Sequence, residues 1–276
     1  EPSHKLMQEL RLQHYPAPWG RASQGEAAAL QAATIDDVVS FHRNNYRPGE
    51  TIISAAGAFD WLELCDLVES LFGDWQDPAD PPAIVPEDVE HRTHLTSDTN
   101  QCHIGIAYES IPYRHDDYFQ AWAAVGVLSG GMSSRLFTEV REKRGLCYTV
   151  NASLQSQKDR AAVFCYAGTT AERAQETLDV TYAELVKLGS GVQQSELDRL
   201  KARIKSSLIM QQESTGSRSA ALARDWRHLG RARPVAELEE LVDAVTAESI
   251  NAYLVANPPA GFTLVTLGPE PLSSPL

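Results

Sequence analysis

The hydrophobic pattern along the chain switches between helical and strand periods, which predicts a protein of mixed α and β structure. Apolar residues recur at helical spacing in seven segments, near 1–15, 34–45, 60–72, 116–129, 170–188, from 195 onward, and 218–229. Short apolar or alternating runs predict strands near 51–56, 102–108, 150–156 and 161–168. The last two flank Gln157-Lys158-Asp159 and are expected to form a hairpin. The predicted class is α+β, with a mixed, largely antiparallel sheet and long helices packed on one face.

A proline-rich segment divides the chain. Residues 77–86 contain four prolines, a composition typical of a linker. We therefore predict a boundary between residues 1–76 and residues 87–276.

The end of the chain resembles its beginning at an offset of 212 residues. The aligned pairs are Thr34 with Thr246, Gly49 with Gly261, and Thr51-Ile52-Ile53 with Thr263-Leu264-Val265. A threonine-capped helix feeding a strand is a common unit, so coincidence is an alternative explanation. Self-similarity at this spacing otherwise implies a duplicated architecture whose first copy is truncated. Residues 1–76 would then be the end of a first copy that starts roughly 120 residues upstream of Glu1, and 87–276 a complete second copy.

The stretch from Gly130 to Val150 is predicted to run from helix through a glycine stop into a strand. Its apolar positions fall on one helical stripe, and cations crowd the last turn, where they complement the carbonyl end of a helix: Arg141, Lys143 and Arg144. Gly145 suits the left-handed position past a helix end. From Cys147 the period becomes two, which places Tyr148, Val150 and Ala152 on one face.

Arg141 and Tyr148 are the candidate site residues. A corner between helix and strand can direct both side chains into one cleft, and both are hydrogen-bond donors that need no change of protonation. The structural alternative is that Arg141 is a solvated helix cap and Tyr148 is half-buried packing.

The segment GGMSSRLFTEVREKRGLCYTV resembles the signature of the second homologous domain in the pitrilysin/insulinase family of zinc metallopeptidases, which includes mitochondrial processing peptidase. Cys147 stands where the family more often has a small residue such as alanine. The resemblance implies that Arg141 and Tyr148 contact a substrate peptide and help to stabilise the transition state. It also implies that residues 1–76 close a first, metal-binding domain, since HRNNYRP and FGDW match the end of that domain.

The zinc ligands of this family lie on an HxxEH helix of the first domain, and none of the eight histidines here fits that motif or HExxH. The nearest sequence, Glu90-His91-Arg92-Thr93-His94, is interpreted as a surface cluster. We therefore expect no metal and no certain catalytic residue in this chain. Zinc is expected in the full assembly, on a missing segment or a partner subunit carrying HxxEH.

Composition narrows the possible partners. The formal charge of −13 argues against nucleic acid, and no apolar run reaches the length of a membrane span. The four cysteines form no CxxC pair, and three of them lie in strand-like runs, so buried thiols are expected rather than disulfides. Four tryptophans are expected in the core: Trp61, Trp75, Trp122 and Trp226.

Two functions follow from the resemblance. The first is the carboxyl-terminal part of a zinc metalloendopeptidase that binds peptide or unfolded protein in a cleft completed by the partner segment. The second is a non-catalytic core subunit or peptide-binding scaffold of the same fold. The pair Arg141 and Tyr148 favours the first, because a scaffold has no need of it.

Overall fold

The computed structural model describes residues 1–78 and 93–275. Most of the predicted linker at 77–86, together with Glu90 and His91, lies outside the described residues. The chain forms two compact units, each assembled from separate stretches. We call them the sheet unit (Glu1–Arg21, Pro86–Ser207, Pro234–Leu276) and the helical unit (Ala22–Val85, Leu208–Arg233). The division into 1–76 and 87–276 follows chain order instead, and it stays a prediction.

The elements follow the predicted alternation in part: β1 and α9 are additional, and the strand predicted at 51–56 is absent. The helices are α1 (Pro2–His14), α2 (Ala27–Ala32), α3 (Ile35–Asn45), α4 (Trp61–Phe72), α5 (Tyr118–Ser129), α6 (Ala174–Leu188), α7 (Gln194–Gln212), α8 (Thr215–Leu229), α9 (Val235–Ala244) and α10 (Ala247–Ala256). The strands are β1 (His94–Thr96), β2 (Gln101–Ser110), β3 (Cys147–Ser156), β4 (Ala161–Thr170) and β5 (Thr263–Gly268).

The sheet has the order β1-β5-β2-β4-β3, in which β1 and β5 are parallel and the other pairs antiparallel. The predicted hairpin is present as β3 and β4. A mixed, largely antiparallel sheet is therefore confirmed. Cys102, Cys147 and Cys165 are buried free thiols, as expected, and Cys65 is exposed.

Both faces of the sheet carry helices, which explains why β2 is buried from Cys102 to Tyr108. Helix α6 packs on β2 and β4 from one side, and α5 lies against β3. On the opposite face, Leu6 and Leu10 of α1 pack against Phe164 and neighbouring strand residues. Gly105 permits this close approach, because an added Cβ would come within 3.0 Å of the Leu10 side chain. The sequence had assigned α1 to the preceding domain, whereas the structure groups it with this sheet.

Both helices aligned by the repeat have the expected threonine caps. The side chain of Thr34 accepts from the Asp37 backbone N–H at the start of α3, and Thr246 accepts from the Ser249 N–H at the start of α10. The repeat predicts a strand after each of these helices, but only the second strand is present. Thr263 begins β5, but residues 51–56 form no strand and are not buried.

The predicted strand at 51–56 is therefore wrong for the described residues. A strand needs a neighbour to satisfy its backbone groups, and the helical unit has no sheet among its described residues to supply one. The chain here is held instead by Ser54 and Ser219, each of which donates its hydroxyl to the other's carbonyl at 2.8 Å.

Two of the four tryptophans expected in the core lie on the surface. Trp61 is 66% exposed and Trp226 is 56% exposed, both in the helical unit. Helices α3 and α4 have no buried residue at all, although both are amphipathic. Among the described residues of this unit these apolar faces are covered at most in part, since only Leu64 and Val68 of α4 are half-buried.

We predict that Arg135→Met lowers the free energy of unfolding by about 3 kcal/mol. Arg135 donates two hydrogen bonds of 2.7 Å to the Glu196 carboxylate and one to the Gly191 carbonyl, joining the start of the motif helix to the start of α7. The Arg135 and Glu196 side chains are only 13% and 17% exposed, so the substitution leaves a charge without its partner. Urea unfolding measures the change.

Lys143→Met is the matched control, because Lys143 pairs with Glu139 at the same 2.7 Å distance while 60% exposed. It should cost about 0–1 kcal/mol. Equal losses in the two variants would contradict the assigned role of Arg135.

Candidate functional site

The stretch from Gly130 to Val150 folds as the predicted helix, glycine and strand, with one addition. Gly145 has φ +60°, the left-handed conformation expected past the helix end. The addition is a π-helical segment, Phe137–Glu142, in which the Lys143 N–H donates to the Thr138 carbonyl at 2.9 Å. Such widened turns are frequent at functional sites. This one lies directly before the strand that carries Tyr148.

Tyr148 occupies a β-bulge at the start of β3. Cys147 pairs with Thr169 and Thr149 with Gly168, so Tyr148 is an extra residue without its own partner across the strand pair. The side chain of Tyr148 is 81% exposed, whereas those of Cys147 and Ala152 are buried. The predicted regular alternation from Tyr148 to Ala152 is therefore interrupted at its first residue, because the bulge redirects that side chain.

The structure brings Arg141 and Tyr148 together. The guanidinium carbon of Arg141 lies 5.0 Å from the ring centroid of Tyr148 and 4.8 Å from that of Phe137. Each cation–π contact of this kind contributes about 0.5–1 kcal/mol at an exposed site. Burial raises the pKa of the adjacent Cys147 thiol, and the positive charge of Arg141 opposes that rise. The π-helical segment and the bulge thus hold a cation against a phenol ring.

A cavity of about 330 Å³ lies beside Tyr148 in the sheet unit. It is lined by ends of β2, β3 and β4 and by the turn before β3: Gln101, His103, Gly145, Leu146, Cys147, Tyr148, Thr149, Tyr166, Gly168, Thr169, Thr170 and Arg173. Tyr148 is one of the lining residues. Arg141 is not one of them and lies beside the cavity in contact with the Tyr148 ring. Among the described residues, the lining contains no aspartate or glutamate; its hydroxyl, amide and imidazole groups both donate and accept, and Arg173 only donates.

His103 and Tyr166 form a hydrogen-bonded pair in the cavity wall. The His103 Nδ1 and the Tyr166 hydroxyl are 2.8 Å apart, and the rings stack at 6.0 Å. Only 6% of His103 is exposed, and its Nε2 has no hydrogen-bond partner among the described residues. Burial lowers the pKa of His103 and raises that of Tyr166, so both side chains are neutral near pH 7.

Sequence reasoning missed this pair. His103 was tested only as a zinc ligand, and Tyr166 lies 63 positions away along the chain. The one signal was a histidine inside the apolar run of β2. That signal indicates a polar contact but does not identify its partner.

Strand β3 forms an edge of the sheet next to this cavity. The Ala152 N–H turns away from β4 and donates to the Ser129 hydroxyl at 2.7 Å. Because backbone direction alternates along an antiparallel strand, the N–H and C=O groups of Val150 and Leu154 also face away from β4. An outward row of backbone groups of this kind is able to pair with another extended chain.

Within residues 1–78 and 93–275, no group of three or more His, Cys, Asp or Glu side chains is placed to hold a metal ion. The described residues therefore offer no set of side chains that fits a catalytic zinc ion. None of the described helices is long and apolar enough to cross a membrane.

The fold and the site together define an α+β domain with a donor-lined cavity at a sheet edge. The family model described as Peptidase M16 inactive domain matches residues 32–204, and the chain belongs to this family. The resemblance of the motif to the pitrilysin/insulinase family is thereby confirmed.

Curated relatives carry zinc-protease names. An uncharacterised zinc protease of Mycobacterium tuberculosis is 30% identical over 244 residues, covering 85% of this chain and 55% of the relative. One from Rickettsia felis is 25% identical over 234 residues, covering 84% and 57%. The uncharacterised zinc protease YmxG of Bacillus subtilis is 29% identical over 231 residues, covering 82% and 56%. The chain thus spans little more than half the length of these relatives.

Solved structures share the fold at lower identity. The peptidase M16 inactive domain from Pseudomonas fluorescens superposes with a TM-score of 0.81 at 22% identity, covering 100% of this chain and 68% of that one. A protease from Helicobacter pylori gives 0.81 at 20% identity, covering 97% and 67%. These likenesses establish the architecture alone.

We predict that the protein loses stability as the pH falls below 6.5. Burial lowers the pKa of four histidines below this ordinary value: His14, His94, His103 and His228. The unfolded chain takes up protons near pH 6.5 and the folded chain only at lower pH, so the unfolded state binds more protons between these values. Urea midpoints should therefore decrease from about pH 7.5 to about pH 5.5. An unchanged or higher midpoint at the lower pH would contradict this assignment.

Proposed function

We propose that this chain is the carboxyl-terminal part of a zinc peptidase of its family, and that it supplies peptide-binding and transition-state-stabilising donors to a shared cleft. The observation that carries the proposal is the stacked pair of Arg141 and Tyr148 beside a cavity next to the edge strand β3. A scaffold needs neither an exposed tyrosine at a bulge nor an arginine stacked on it.

An extended peptide would bind by adding to the edge of β3. The outward N–H and C=O groups of Val150 and Leu154 would pair with the peptide backbone, which gives affinity with little sequence preference. The bulge at Tyr148 interrupts this edge at the cavity. The Tyr148 hydroxyl would there donate to a carbonyl oxygen of the bound peptide.

Arg141 would act in two ways. Its contact with the rings of Phe137 and Tyr148 limits the movement of the phenol, so the hydroxyl is preorganised before substrate arrives. Its remaining guanidinium N–H groups would donate to the same region, where negative charge develops on the carbonyl oxygen. A preorganised donor of this type is typically worth about 3–4 kcal/mol in the transition state.

The metal site would lie outside this chain. The relatives are named zinc proteases, and the described residues offer no metal-holding cluster. A partner domain or subunit carrying HxxEH would provide zinc and the bound water that attacks the peptide. This chain would provide the opposite wall of the cleft.

The exposed apolar faces of the helical unit support a missing partner segment. Ile35, Phe41, Leu62 and Leu71 are between 61% and 74% exposed. Residues 51–56 align with β5 but have no sheet to join among the described residues. We propose that 1–76 ends a domain whose remaining part supplies that sheet and covers these side chains.

Arg141→Ala and Tyr148→Phe should each lower peptide turnover by the full-length assembly roughly tenfold or more. Tyr148→Phe keeps the ring that Arg141 contacts and removes only the hydroxyl, so it tests donation separately from packing. Turnover of a peptide substrate at saturating concentration is the measurement.

Arg144→Ala is the control for those two variants, because Arg144 lies on the same helical end but donates to Glu139. It should leave turnover close to that of the wild type. If all three variants cleave peptide at the wild-type rate, the chain has the scaffold function instead.

Leu62→Lys should be almost neutral in this chain and strongly destabilising in the full-length protein. Leu62 is 71% exposed here, so a lysine there should change the free energy of unfolding by no more than about 0.5 kcal/mol. Covered by a partner domain, the same lysine would be buried without a counter-charge and cost about 3 kcal/mol or more. Urea unfolding of both proteins gives the comparison.

Val255→Lys provides the control, since Val255 is 79% exposed on α10 of the sheet unit. It should be near neutral in both proteins. If Leu62→Lys is equally mild in both, the face is not an interface with the missing domain.

A further inference from the structure

We propose that the cavity lined by His103, Tyr166 and Arg173 is a subsite for an acidic side chain of the bound peptide. The inference rests on the proposed function, because it places the peptide along β3 beside Tyr148. It adds a preference for substrate that neither the family nor the Arg141–Tyr148 pair specifies.

The hydrogen bond between His103 and Tyr166 has a preferred direction. Both side chains are neutral, and an imidazole nitrogen is a better acceptor than a phenol oxygen. We therefore assign the Tyr166 hydroxyl as the donor to Nδ1 of His103, 2.8 Å away. A neutral imidazole has one N–H, so the hydrogen lies on Nε2.

The Nε2–H of His103 is thus a donor without an acceptor. It is buried in the cavity wall and has no partner among the described residues. An unpaired buried donor costs about 1–3 kcal/mol, and a ligand oxygen that reached Nε2 would remove that cost. Gly168 leaves the space this arrangement needs, because an added Cβ would come within 2.8 Å of the Tyr166 hydroxyl.

The charged side chains around the cavity are positive. Arg173 lines the cavity, where it also donates to the Gly145 carbonyl, and Arg141 lies against Tyr148. Among the described residues, the lining has no carboxylate to oppose them. Glu1 is near enough to raise the pKa of Tyr166 but does not line the cavity. The net charge of −13 would suggest basic substrates, whereas the side chains at this position favour an acidic one.

The lining discriminates between an acidic side chain and the alternatives. A carboxylate would accept hydrogen bonds from His103 Nε2 and from Arg173, and the cavity of about 330 Å³ has room for it. A glutamine side chain offers one oxygen to the same donors but no charge. A lysine side chain has only N–H donors, which would face the donors of His103 and Arg173. Its positive charge would also lie near that of Arg173, so the cavity selects against lysine.

The test is equilibrium binding of fluorescein-labelled peptides to the full-length protein, with its metal removed by chelation so that nothing is cleaved. The peptides share one extended sequence and carry Glu, Gln or Lys at each position in turn. At one position we expect the Glu peptide to bind about tenfold or more tighter than the Lys peptide, with the Gln peptide between them.

Two variants separate the contributions. His103→Phe removes the Nε2–H donor. It should lower the binding affinities of the Glu and Gln peptides towards that of the Lys peptide. Arg173→Gln changes an exposed side chain, so folding is not at risk, and should reduce the advantage of Glu over Gln. His94→Phe is the matched control: His94 also bonds a hydroxyl through Nδ1 at 2.8 Å, to Thr266 on an outer strand pair, and should leave the ranking unchanged.

Three results overturn the proposal: a ratio of Glu-peptide to Gln-peptide affinity that is the same in Arg173→Gln and wild type, tighter binding of Lys than of Glu in wild type, or equal affinities for the three peptides at every position. These outcomes differ from failure of the proposed function, in which Arg141→Ala and Tyr148→Phe leave turnover unchanged. If those two variants lose turnover while the Glu, Gln and Lys peptides bind with equal affinity, the catalytic role is supported and the acidic subsite is not. If His103→Phe fails to fold, Arg173→Gln alone decides.

Discussion

The pairing of β3 with β4 is the constraint on which the candidate site depends. Ten residues of each strand are joined along almost their whole length, and the one shift in register falls between Cys147 and Thr149. That shift exposes Tyr148 on a strand whose neighbouring residue is buried. The π-helical segment before it widens the last helical turns and brings Arg141 over the same ring. The β-bulge positions Tyr148 and the π-helical segment positions Arg141, so the contact between the two side chains depends on both irregularities.

The same strand pairing builds the cavity. His103 of β2 lies opposite Gly168 of β4, and the absence of a side chain at Gly168 gives the Tyr166 hydroxyl its position. Buried polar groups usually find partners, because leaving them unpaired is costly. The unpaired Nε2 of His103 is therefore a departure from the ordinary rule, and departures of this kind concentrate at functional sites. It lies in the same cavity as Tyr148.

The two units contrast in how they bury apolar surface. In the sheet unit, helices on both faces leave β2 buried from Cys102 to Tyr108. In the helical unit, α3 and α4 have good caps and amphipathic patterns but no buried residue. Local signals form a helix whether or not its apolar face is covered, since caps and propensities act within one turn. A strand, in contrast, needs a neighbouring strand for its backbone hydrogen bonds. Residues 51–56 have no such neighbour among the described residues and form no strand.

The sequence by itself determined the order of most helices and strands in the sheet unit, although it predicted neither β1 nor α9. It also determined the hairpin, the helix caps at Thr34 and Thr246, and the family through the motif at residues 130–150. These depend on periodicity, caps and glycine positions, which are local properties. Only the tertiary structure decided that α1 covers the second face of the sheet, that a bulge exposes Tyr148, and that His103 meets Tyr166. It also decided that Trp61 and Trp226 are exposed, because burial depends on what lies opposite a side chain in space. The hydrophobic pattern along the chain indicates which residues favour burial. It does not indicate which residues cover them, because those residues are not their neighbours in the sequence.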